Sequence, residues 1–234
     1  MLVIFYGLVY GSGIVFGGLH NRPVMVFLSS FVLGTIMLLA AFLFVQRDAS
    51  WQESLGLGHQ STGSILGWSL LGFIGTYVVN VLLISMYATA HGDLEAVVER
   101  RAIWMGGLSQ LPSGLILPLA AFAAIWEETV FRGFLLGRLR ASIPVQDPQE
   151  TSLRRDVMAI VLTAICFGLG HGYQGVLGIV QTTLAGMALG ALTVWRNSLW
   201  PAIGAHLAID AFGLVMIKML KPMLDTVVSL AAVR

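Results

Sequence analysis

The chain has 234 residues, of which 57% are hydrophobic and only 11% charged, with a mean hydropathy of +0.85. An ordinary soluble domain carries about 25% charged residues, so a water-soluble globule is excluded and a single all-α, polytopic transmembrane bundle over 1–234 is expected. The net charge of +1 gives no reason to expect a nucleic-acid partner, and the single cysteine, Cys166, excludes both an intrachain disulfide and a multi-cysteine metal site.

A membrane helix needs about 20 apolar residues to cross a ~30 Å hydrocarbon core. On that ruler the expected spans, in chain order, are 2–19, 24–45, 64–87, 115–138, 157–171, 176–195 and 199–220. The opening Met1-Leu2-Val3-Ile4-Phe5 lacks a basic n-region, and the first span is read as a membrane helix rather than a removed leader. The stretch 94–112 holds Glu95, Glu99, Arg100 and Arg101 and is expected to lie along the interface, with a part that counts as an eighth membrane element. The fifth span is short and ends in Gly168-Leu169-Gly170-His171-Gly172, so a tilted, broken or partial crossing is expected, with a lateral gap beside it. Gly186 and Gly190 stand at small-xxx-small spacing, which predicts close helix packing. Pro201 sits at the start of the last span, where a missing N–H does no harm. The loop 139–156 is the most polar segment. Lys and Arg counts tie between the two sides, and the dense cluster after the fourth span tips the expectation toward a cytoplasmic 139–156 loop and a cytoplasmic N-terminus.

The fourth span contains a costly interruption: Ile125-Trp126-Glu127-Glu128-Thr129-Val130-Phe131-Arg132. An ionisable group at bilayer depth costs roughly 2.5–3.5 kcal/mol on insertion scales. The other strongly polar groups in the spans are His171, His206 and Asp210, with Asn80 and Gln181 as lesser candidates. Glu128 and Arg132 stand at i,i+4 and can form an ion pair on one helix face. Its plain reading is a buried structural salt bridge. Glu127 lies about 100° around the helix and is left for proton chemistry. His206 and Asp210 are also i,i+4, so the carboxylate is placed to orient the imidazole. Phe167, four residues before His171, is placed to wall the site.

Peptide hydrolysis needs an activated water, a proton donor for the leaving amine and a stabiliser for the tetrahedral oxyanion. Glu127, His171, His206 and Asp210 form a set that fits these roles. The same four side chains are also candidate ligands of one divalent metal such as zinc, and spacing leaves open whether a metal is used or none. Neither H-E-x-x-H nor G-x-S-x-G occurs.

Glu127-Glu128-Thr129-Val130-Phe131-Arg132-Gly133 resembles the E-E-x-x-x-R motif of the CAAX-protease and bacteriocin-processing intramembrane proteases, the CPBP or Abi family. Phe167-Gly168-Leu169-Gly170-His171 is similar to its F-x-x-x-H motif, and His206-Leu207-Ala208-Ile209-Asp210 to its H-x-x-x-[N/D] motif, all in family order. The resemblance implies that Glu127 is the water-activating base with His171 as its partner, and that His206 with position 210 stabilises the oxyanion. Glu128 and Arg132 would be supporting residues. Asp210 stands where the prenyl-protease branch tends to have asparagine, and an ionised carboxylate cannot donate to an oxyanion. The expected function is therefore an intramembrane endopeptidase with a catalytic core over about 115–220. Its substrate would be a membrane-associated peptide or protein, prenylated CAAX-type chains included, and its surroundings membrane lipid. If the source is a prokaryote, the plasma or inner membrane is its place. Two other classes remain: a proton-coupled transporter or channel, since membrane carboxylates also mark ion pathways, and a non-catalytic scaffold or bacteriocin-immunity protein of the same fold.

Overall fold

A computed structural model describes residues 23–48, 50–91, 111–144, 151–223 and 225–226. The expected span 2–19 and all but the end of the interfacial stretch 94–112 lie outside the described residues. Among the described residues every regular element is helical. The helices are α1 (Pro23–Val45), a short α2 (Trp51–Ser54), α3 (Thr62–His91), α4 (Ile116–Glu128), α5 (Leu136–Ser142), α6 (Thr151–Gly170), α7 (Gly175–Arg196) and α8 (Trp200–Met219). A π-helical segment, Thr129–Leu135, joins α4 to α5 without a break.

Four helical stretches are long and apolar enough to cross a membrane: Thr62–Ala90, Ser113–Ser142, Gly175–Arg196 and Trp200–Met219. Local signals set their ends. Asn197 follows α7 in the left-handed conformation, φ 46°, and the last carbonyls of α7, Thr193 and Val194, accept the capping N–H groups. Pro201 occupies the first turn of α8, as expected.

The apolar faces point outward as well as inward. Leu39 and Leu43 of α1, Leu66, Leu70, Leu82 and Met86 of α3, and Val176 of α7 are all exposed. So large an apolar exterior is unfavourable against water and natural against lipid chains. The chain is a helical bundle of an integral membrane protein. Inside it, Met37, Ala41 and Val45 of α1 pack with Leu55, Trp126, Val130, Phe131, Phe134 and Phe167. α8 lies between α3 and α4, and α6 runs along α7. The expected close approach at the α7 glycines is present: a Cβ on Gly186 would lie 3.2 Å from Ala164 Cβ, and one on Gly190 3.3 Å from Ile160 Cγ2.

The fifth span differs from its expectation. α6 starts at Thr151, inside the segment read as a polar loop, and has 20 residues, about 30 Å at 1.5 Å per residue. Arg140, Asp156 and Arg155 explain the extension. Arg140 donates to both carboxylate oxygens of Asp156, at 2.8 and 3.0 Å, and Arg155 donates to Oδ1 at 3.0 Å. These bonds tie α5 to the first turns of α6 and let charged residues continue the helix. The apolar part of α6 still begins at Val157, so the extension adds charged residues to the helix rather than length to a membrane crossing, and α6 is not among the four stretches above.

Candidate active site

The rod that runs from 116 to 142 changes its winding directly after the two glutamates. The π segment Thr129–Leu135 holds Val130, Phe131, Arg132, Gly133, Phe134 and Leu135, all buried. Such a segment carries an extra residue relative to an α-helix, and π-bulges recur at functional sites.

Glu128 is fully buried, with 0% exposure. Its Oε1 accepts a hydrogen bond from Arg132 Nη1 at 2.8 Å, so the ion pair anticipated from spacing is present. The same oxygen accepts from His206 Nδ1 at 2.7 Å, although 78 positions separate the two residues. A proton on Nδ1 leaves Nε2 as the nitrogen turned toward the remaining acids. Asp210 Oδ2 lies 3.5 Å from it and Glu127 Oε2 3.8 Å. Asp210 therefore stands beside Nε2, and the short hydrogen bond that orients the ring comes from Glu128.

His171 follows the last turn of α6. A backbone carbonyl only accepts, so the 2.9 Å contact between Nδ1 and Phe167 O places the proton on Nδ1. Nε2 then faces Glu127 Oε2 at 4.0 Å. One oxygen of Glu127, buried in the bundle, thus has the Nε2 atoms of both imidazoles in front of it.

Phe167 is the apolar centre of the cluster. Its ring lies 4.6 Å from the His171 ring, 5.1 Å from Phe131 and 6.1 Å from His206, measured between centroids. Arg132 Cζ sits 4.2 Å above the same ring. A guanidinium over an aromatic face is held by the ring quadrupole, more strongly when water is excluded.

The seven residues given catalytic or supporting roles from the sequence meet in this cluster. Glu127 and Glu128 come from α4, Arg132 from the π segment, Phe167 and His171 from the end of α6, His206 and Asp210 from α8. Asp210 is the outermost of the acids, its side chain 34% exposed, against 11% for Glu127 and 0% for Glu128. Asn80 does not join them: its amide donates to Thr76 O within α3. Cys166 is buried, in keeping with its apolar setting. Among the described residues no group of three or more His, Cys, Asp or Glu side chains is arranged to hold a metal ion.

Spacing did not disclose the Glu128–His206 bond, nor the stacking of Arg132 on Phe167. Both join separate helices, and no i,i+3 or i,i+4 rule reaches across a bundle. The winding change at Thr129 likewise leaves no mark in the hydrophobic pattern.

Residues 109–212 match the family described as Type II CAAX prenyl endopeptidase Rce1-like. No match to a curated protein or to a solved structure is found.

Proposed function

We propose, from the match of residues 109–212 to the Rce1-like family of type II CAAX prenyl endopeptidases, that the chain hydrolyses a peptide bond with a water activated by Glu127 and His171. The observation that supports this reading best is the position of Glu127 Oε2, 4.0 Å from His171 Nε2 and 3.8 Å from His206 Nε2. These separations are too long for direct hydrogen bonds and suit one shared water.

In this reading Glu127 takes a proton from the water as its oxygen forms a bond to the scissile carbonyl carbon. His171, with its proton fixed on Nδ1, offers the Nε2 lone pair to the same water. The tetrahedral oxygen then carries negative charge. His206 receives it as an imidazolium: Nδ1–H is committed to Glu128, and Nε2–H is the donor. Glu128 and Asp210 flank that cation and favour it. Collapse of the intermediate breaks the carbon–nitrogen bond, and the proton held by Glu127 passes to the leaving amine. Arg132 balances Glu128, and Phe167 keeps bulk water from the cluster.

The substrate class we propose is a membrane-associated peptide or protein, with prenylated CAAX-type chains as the first to try. The apolar exterior and the depth of the acids support a substrate presented from the membrane. In the same reading the protein crosses the membrane several times and 115–220 is its catalytic core. The test is Glu127→Gln in purified protein against fluorogenic peptides with and without a prenyl group. Cleavage is expected to fall by about 10²–10⁴-fold with the thermal midpoint unchanged. Retained cleavage in a folded Glu127→Gln protein overturns the mechanism.

A further inference from the structure

We propose that Gly186 of α7 is a positioning residue for the site: the space left by its missing Cβ seats the Arg132 guanidinium, and through it Glu128 and His206. The inference rests on the protease reading for its kinetic consequence, and on packing alone for its structural one.

α7 contributes no ionisable side chain to the cluster; its only charged residue, Arg196, is at the far end. It acts through shape instead. A Cβ built on Gly186 would lie 3.2 Å from Arg132 Nη2, and equally 3.2 Å from the Cα and Cβ of Ala164 on α6. The guanidinium is enclosed on its other sides. Nη1 is bonded to Glu128 at 2.8 Å, and its face lies 4.2 Å above Phe167. Nη2 is buried with no hydrogen-bond partner among the described atoms. Packing, rather than a polar contact, therefore fixes where this end of Arg132 lies.

A methyl group at 186 presses on two neighbours. The backbone of Ala164 is part of a packed helix and yields little, so the displacement falls on the guanidinium. Arg132 and His206 share Glu128 Oε1, so a shift of one partner is felt by the other. The ordinary reading of Gly186 is helix packing alone, and Gly190 supplies the comparison. It sits one turn further along the same crossing, and a Cβ there would meet Ile160 at 3.3 Å and no member of the cluster.

The experiment is a pair of double-mutant cycles, G186A with R132K and G190A with R132K, in purified protein reconstituted in nanodiscs. Both kcat and KM are measured on a cleaved peptide, and thermal midpoints on every variant. G186A is expected to lower kcat about tenfold, as small misplacements of catalytic groups do, with KM little changed. G190A should keep kcat. Lysine has no second terminal nitrogen, so in the R132K background G186A should cost much less than in the wild type. G190A and R132K should combine additively. Equal kcat losses from G186A and G190A, or additive G186A and R132K effects, would overturn the proposal. Should R132K cleave too slowly to assay, the midpoints decide the same coupling. A wild-type protein that cleaves no peptide would defeat the protease reading, while additivity in the midpoints would separately defeat the role of Gly186.

Discussion

Glu128 Oε1 accepts from His206 Nδ1 at 2.7 Å and from Arg132 Nη1 at 2.8 Å, so one buried oxygen joins α4, the π segment and α8. Glu128 is thereby both the counter-charge of the arginine and the partner that fixes the tautomer of the histidine.

Glu128→Ala should be the most destabilising change in the cluster. It leaves Arg132 buried without its counter-charge, a loss of about 3–5 kcal/mol for pairs of this kind. Glu128→Ala combined with Arg132→Met should recover much of that stability, because the uncompensated charge is gone. Activity should not return, since His206 has lost its partner. Thermal midpoints and cleavage rates of the single and double variants check both halves.

Asp210→Asn should be mild by comparison. Asp210 Oδ2 stands 3.5 Å from His206 Nε2, beyond a strong hydrogen bond, and an asparagine amide adds a donor near the developing oxyanion. Cleavage is expected to change by less than about tenfold, against a loss of 10²-fold or more for Glu127→Gln. Rates for the two variants on one peptide test that order, and a larger loss in Asp210→Asn would reverse the roles assigned to the acids.

Phe167→Leu keeps an apolar side chain of similar reach but removes the aromatic face beneath Arg132. A desolvated cation over a ring contributes up to about 2 kcal/mol. Folding stability, followed by the thermal midpoint, should fall by an amount in that range, and the loss should nearly vanish when Arg132→Met is already present.

The α5–α6 bridge gives a pH test outside the membrane-spanning segments. Burial pushes the Asp156 carboxyl up, but hydrogen bonds and charge from Arg140 and Arg155 outweigh it and hold the group below its ordinary value of 3.8. A carboxyl depressed in the folded state adds stability above its unfolded pKa and loses it as pH falls through the folded value. Asp156→Asn should thus lower stability near pH 7, by no more than about 1 kcal/mol for so accessible a pair, and the midpoint with it. Midpoints followed downward in pH should show the two proteins converging below pH 4.

Composition and hydropathy made the membrane class legible, because 11% charge cannot coat a soluble domain of this size. The i,i+4 rule made the Glu128–Arg132 pair legible, since both partners lie on one rod. It was less informative for His206, whose in-helix neighbour Asp210 looked like the natural orienting group. The closer partner lies on another helix. The start of α6 was missed for a related reason. Arg155 and Asp156 read as loop residues, whereas the Asp156 carboxylate is paired with Arg155 and with Arg140 at the helix start. Hydropathy records what each side chain prefers alone and is blind to partners brought in by the fold.

The π segment at Thr129–Leu135 makes the rod sensitive to length in an unusual way. Each residue of an α-helix turns its successor by about 100°, but a wide turn absorbs one extra residue locally, so deleting one position inside Thr129–Leu135 would relax the stretch to α-helix with both halves of the rod still in phase. A one-residue deletion in the α-helical part on either side has no such outlet and would swing the acids away from the two histidines.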